Sequence, residues 1–166
     1  MKLKHLSSQG IPSALTKAER YRLLNEPEEA ESICLDVLAA DPDNREARIV
    51  LLLSRTDQFG RHAAVGVRDA QSLITQLATE YDREYYSGLI AERWAKAQIV
   101  AKLPGHATYQ WIRAAMAHYE RAETLAPTAN QDAILRWNAC VRVLQQNPHL
   151  TEKEEEFGEG ADEPPR

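Results

Sequence analysis

The chain has 166 residues, is 43% hydrophobic and carries a formal charge of −5, which is enough length and apolar material for one domain with its own core and excludes a disordered chain. No apolar run approaches the ~20 residues that a bilayer crossing requires. The basic start MKLKHLSSQG is not followed by the apolar block of a secretory signal, so none is expected and a cytoplasmic location is the expectation.

The charge is uneven. Residues 151–166 hold seven acids against Lys153 and Arg166, which leaves residues 1–150 neutral. A neutral body lacks the basic stripe of a dedicated nucleic-acid binder, and neither nucleic acid nor membrane is an expected partner. The organisation expected is a flexible N-terminus over 1–10, a helical domain over 11–148 and an acidic, disordered tail over 149–166, because the tail has a single large apolar residue, Phe157, to offset its ordering entropy.

In chain order, the pattern predicts seven helices over 12–25, 27–40, 44–58, 66–80, 83–102, 107–125 and 130–146. Pro27 pre-sets the second helix, Glu28, Glu29 and Glu31 complement its positive end, and Ala30, Cys34, Val37 and Leu38 form its buried stripe. Pro42 stops that helix and Asp43 or Asn44 caps the next. In the fifth, Tyr86, Ile90, Trp94, Ala97 and Ala101 form one stripe, and Tyr85, Leu89, Ile99 and Leu103 are available to a second. A helix apolar on two sides is sandwiched between neighbours. The seventh packs through Ala133, Trp137, Cys140 and Leu144 and is stopped by Asn147 and Pro148.

A frame recurs along this series. Ala30, Cys34, Val37 and Pro42 have the same spacing as Ala70, Ile74, Leu77 and Asp82, and as Ala115, Tyr119, Ala122 and Pro127. The small first residue lets two helix backbones approach, larger residues fill the space beyond, and the last ends the helix. Three matches in order, each followed by a new amphipathic segment, point to stacked helical hairpins.

With Ala18 and Tyr21 on the first helix and the stretches LAADPDN and AMAHYERAETLAP, the sequence resembles the tetratricopeptide repeat family from residue 11 to about 146. The anchor alanines are 40 and 45 residues apart, against about 34 for that family. The excess falls in QFGRHAAVGV and KLPGHATY. The resemblance implies an all-α fold of stacked antiparallel hairpins, an α-solenoid of about three pairs with the seventh helix as a C-terminal cap. Its first helices would line a hollow face that takes a peptide or partner helix from another protein. The groove residues it implies are Leu15, Glu19, Arg22, Glu46, Ile49, Leu53 and Thr56. The positions that grip a terminal carboxylate in some relatives do not carry Lys, Asn and Arg here.

No enzymatic signature stands out. There is no GxSxG, Walker loop, HExxH or dinucleotide fingerprint, so no catalytic residue, metal or cofactor is expected. Glu80, Asp82 and Glu84 cluster at a helix junction as cap and dipole partners. Cys34 and Cys140 lack a CxxC companion and are expected as small buried hydrophobes. His62 and His106 follow glycines in the enlarged loops, could approach each other, and would be the basis of a metal-dependent enzyme. Of Tyr109 and Trp111, one is expected at the surface or at the opening of the helix. The leading expectation is a non-catalytic adaptor; a small cytosolic chaperone for a secretion substrate is the alternative.

Overall fold

The computed structural model describes residues 1–61 and 66–152. Within them the protein is all-helical, without strands, and its helices are α1 (Ile11–Leu23), α2 (Pro27–Ala40), α3 (Arg45–Asp57), α4 (Val67–Gln71), α5 (Glu80–Val100), α6 (Gly105–Leu125) and α7 (Asp132–Gln146). Short 3-10 turns cover Ser8–Gly10 and Ile74–Gln76. His62 and the tail over 153–166 lie outside the described residues. No described helix is long and apolar enough to cross a membrane.

The helix ends follow local chemistry. Pro12 and Pro27 open α1 and α2, where a missing N–H removes nothing. Asn44 Oδ1 accepts from the Ala47 amide at 2.9 Å, and Thr79 Oγ1 accepts from the Asp82 amide at 3.0 Å; each cap contributes about 1 kcal/mol. Three helices end alike: Asn25, Gly60 and Lys102 follow α1, α3 and α5 with φ of 65°, 79° and 54°. After α1 and α5 the chain folds back, with Glu26 N donating to Tyr21 O and Leu103 N to Gln98 O, as in a left-handed C-cap.

The predicted fourth helix is much shorter than expected. Over 66–80 the chain forms α4 and then a separate 3-10 turn, because side chains take carbonyls that a longer helix would use. Ser72 Oγ and Arg55 Nη1 donate to Asp69 O, Thr75 Oγ1 donates to Ser72 O, and Arg48 Nη1 donates to Gln76 O. Asp82 does not terminate anything. It lies in the first turn of α5, 2% exposed, and receives a two-pronged bond from Arg45.

The helices pack consecutively: α1 on α2, α2 on α3, α5 on α6 and α6 on α7. Smaller contacts join α1 to α3, α3 to α5 and α5 to α7. One core cluster gathers Ala18, Ala30, Cys34, Leu52, Ala70, Leu77 and Ile90, with Tyr86, Trp94 and Ala97 packed on it. Another gathers Ala91, Ala95, Ile112, Ala115, Tyr119, Ala122, Ala133 and Cys140. Helix α5 is thus covered on two sides. Its second face, however, is made of Tyr85, Ala91 and Ala95, while Leu103 is exposed. Leu103 lies beyond the end of α5, and at Gly88 α6 comes close, since a Cβ there would sit 2.7 Å from the Tyr119 ring. Small residues let α6 come against α5 at this point.

Candidate functional site

The frame alanines Ala30, Ala70 and Ala115 are fully buried, as are Cys34, Val37, Tyr119 and Ala122. Pro42 and Pro127 follow α2 and α6 at exposed positions. Burial pushes the Cys34 and Cys140 thiols up to about 12, so neither is a nucleophile in the folded chain.

The groove residues expected from the sequence divide. Glu19 and Glu46 are exposed, and Ile49 and Leu53 are half-buried against the first core cluster. Leu15 does not line a surface: it is 4% exposed and packs with Val37 and Ala47, the apolar side of α1 being turned onto α2 and α3. Thr56 is also buried, its hydroxyl donating to Leu53 O at 2.8 Å and accepting from Arg93 Nη1 at 2.7 Å. Arg22 is held by Asp57, whose Oδ2 accepts from Arg22 Nε at 2.8 Å.

That last bond belongs to a network the sequence did not reveal. Asp57, the last residue of α3, also accepts from Arg93 Nη1, so one carboxylate bridges α1, α3 and α5. Burial lowers the Arg93 pKa, and Arg22 and Arg136 act in the same direction against the Asp57 carboxylate. Next along α5, Glu92 is fully buried. Its carboxylate accepts from Lys96 Nζ at 2.5 Å and Tyr119 Oη at 2.8 Å, and Arg136 Nε of α7 lies 3.4 Å away. Arg136 Nε is itself buried without a hydrogen-bond partner. Burial first, and then the Glu92 carboxylate, push the Tyr119 hydroxyl well above the usual phenol range. A buried carboxylate is tolerated here because two cations and a hydroxyl surround it.

A second polar cluster lies between α5 and α6. His118 Nδ1 is 2.7 Å from both Glu84 Oε2 and Arg121 Nη2, and Arg121 Nε donates to Glu84 Oε2 at 2.9 Å. Burial pushes the Glu84 carboxyl up, but the bonds from His118 and Arg121 outweigh it and hold the group below the ordinary carboxylate range. The ring nitrogen can donate to Glu84 or accept from Arg121, not both.

Of the loop histidines, His106 is the second residue of α6, with Nδ1 buried and unpartnered. Its neighbour Gly105 packs against the carbonyl of His149: a Cβ there would meet that oxygen at 2.6 Å. Among the described residues no group of three or more His, Cys, Asp or Glu could hold a metal ion. Trp111 packs on the second cluster and Tyr109 is half-buried. Near the N-terminus a cleft of about 320 Å³ is lined by Leu6, Gly10, Ser13, Lys17, Ile33 and Asp36.

No protein-family model, curated protein or solved structure matches the chain. The sequence and the geometry therefore carry the functional reading alone.

Proposed function

We propose that the chain is a non-catalytic adaptor of tetratricopeptide type. In this reading the odd-numbered helices α1, α3, α5 and α7, each in contact with the next of the series, make up the first row. The first row presents a hollow face to a peptide or helix of another protein. The observation that carries this reading is the bridging of α1, α3 and α5 by the single carboxylate of Asp57, together with the contacts of α1 with α3, α3 with α5 and α5 with α7. Such sequential contact between alternate helices is what a stack of hairpins requires. Glu46, Ile49 and Leu53 on α3 and Arg22 on α1 supply the mixed polar and apolar lining.

The test compares immobilised wild-type chain with Glu46→Lys and Ile49→Asp, and with Leu35→Asp on exposed α2 as the opposite-face control. A partner captured from the source cell should be retained by the wild type and Leu35→Asp and lost from the two α3 variants, each shown folded by circular dichroism. Equal retention by all four would refute the reading.

A further inference from the structure

On the row formed by α1, α3, α5 and α7, four cations share two carboxylates. Asp57 serves Arg22 and Arg93, and Glu92 serves Lys96 and Arg136. The body through residue 150 is neutral overall, so this local surplus is balanced by acids elsewhere on it. Exposed Glu19, one turn before Arg22 on α1, and exposed Glu46, far along α3 from Asp57, take part in none of these bonds.

The guanidinium groups are far from saturated. Each carries five N–H donors, yet Arg22 engages only its Nε within the network, and Arg93 engages only Nη1. Arg136 reaches Glu92 only at 3.4 Å through a buried Nε, so any bond to a partner falls to its terminal nitrogens. The three side chains are 19%, 25% and 30% exposed, so each is mostly buried and keeps a minor part in contact with solvent. Partly desolvated guanidinium forks with free donors match carboxylates, which accept two parallel bonds.

We infer that this row binds an acidic peptide segment of a partner protein, whose carboxylates engage Arg22, Arg93 and Arg136 while apolar residues rest on Ile49 and Leu53. The inference rests on the adaptor reading above and names the partner's chemistry. One terminal carboxylate would not satisfy it. The guanidiniums come from α1, α5 and α7, and packed helix axes are about 8–10 Å apart, so several separated single charges fit better than one. Spaced Glu or Asp side chains with apolar residues between them supply both requirements.

Fluorescence anisotropy on the full chain tests it, with a fluorescein-labelled, C-terminally amidated peptide of repeating Glu-Leu-Glu-Glu. Controls are the same peptide with Gln for Glu, and that Gln peptide with a single phosphoserine. The Glu peptide should bind, lose roughly tenfold in affinity between about 50 and about 300 mM NaCl, and outcompete both controls. Arg22→Gln and Arg136→Gln should each weaken it about fivefold, with Arg136→Lys weaker than wild type but stronger than Arg136→Gln. If Arg136→Gln fails to fold, Arg22→Gln and Arg136→Lys carry the comparison.

Equal binding of the Glu and Gln peptides, abolished by Ile49→Asp, would overturn the acidic class and leave the groove standing. Tighter binding of the phosphoserine peptide would overturn the carboxylate assignment. Failure of all three peptides would overturn the acidic class, with the adaptor reading judged by its own capture experiment. Binding that emerges only in Glu154→Gln/Glu155→Gln/Glu156→Gln would assign the site to the chain's own tail and overturn the partner.

Discussion

Gly88→Ala separates packing from helix propensity by the sign of its effect. In an unencumbered helix, Ala in place of Gly stabilises by about 1 kcal/mol. At Gly88 the added methyl would stand 2.7 Å and 2.9 Å from two ring carbons of Tyr119, closer than such atoms approach. The ring cannot step aside cheaply, since Tyr119 is fully buried and its hydroxyl is bonded to Glu92. Overpacking of this kind costs about 1–3 kcal/mol, and a tethered ring places the site near the upper value. The net expectation is destabilisation of about 2 kcal/mol after the propensity gain is subtracted. In a chain of this size that lowers the melting temperature by roughly 4–8 °C, readable by circular dichroism. In a Tyr119→Ala background the clash is gone and the same substitution should stabilise. A stabilising Gly88→Ala in the wild type would refute the close approach of α6 to α5.

Ala115→Arg puts a long charged chain at a fully buried position and should destabilise by several kcal/mol, on the order of 3–5, measured by urea unfolding; a neutral result would mean that the repeat frame is misread. Cys34 and Cys140, buried and with thiols near 12, should resist a thiol reagent at pH 8 until urea unfolds the chain, after which both should react. Glu84 has its carboxyl held below the usual range in the folded state. Its contribution is therefore complete above the unfolded value of about 4.3 and is lost as pH falls through the lower folded value. Glu84→Gln should be less stable than wild type at neutral pH, and the gap should narrow on acidification below about pH 4, followed by thermal melts across pH.

Helix positions and the buried alanines were legible because period and punctuation are local signals. Ala30, Cys34 and Val37 lie within two turns of one another, and Pro27 and Asn44 mark their own helix ends. The short α4 was not legible, because the groups that take its carbonyls include Arg55 and Arg48 of α3, far back in the chain. The charge network escaped for the same reason. Arg22 and Asp57 are 35 residues apart, Arg93 and Asp57 are 36 apart, and Glu92 and Tyr119 are 27 apart. In sequence each reads as an ordinary polar residue of an amphipathic helix. The family frame puts Leu15 and Thr56 at a surface, and only contacts from distant elements, Val37 and Ala47 on Leu15 and Arg93 on Thr56, decide otherwise. His118 could have drawn notice through Arg121, one turn later, but nothing local marks Glu84 as their companion.

Helix α5 sends Ile90 into one cluster and Ala91 and Ala95 into the other. Adjacent residues on a single rod thus hold the two halves of the molecule in common, like a party wall between two houses. Neither half owns a complete lining without it. Cutting the chain on either side of α5 should therefore leave one piece bare along a whole flank, and its amides should exchange with deuterium only when the entire molecule opens.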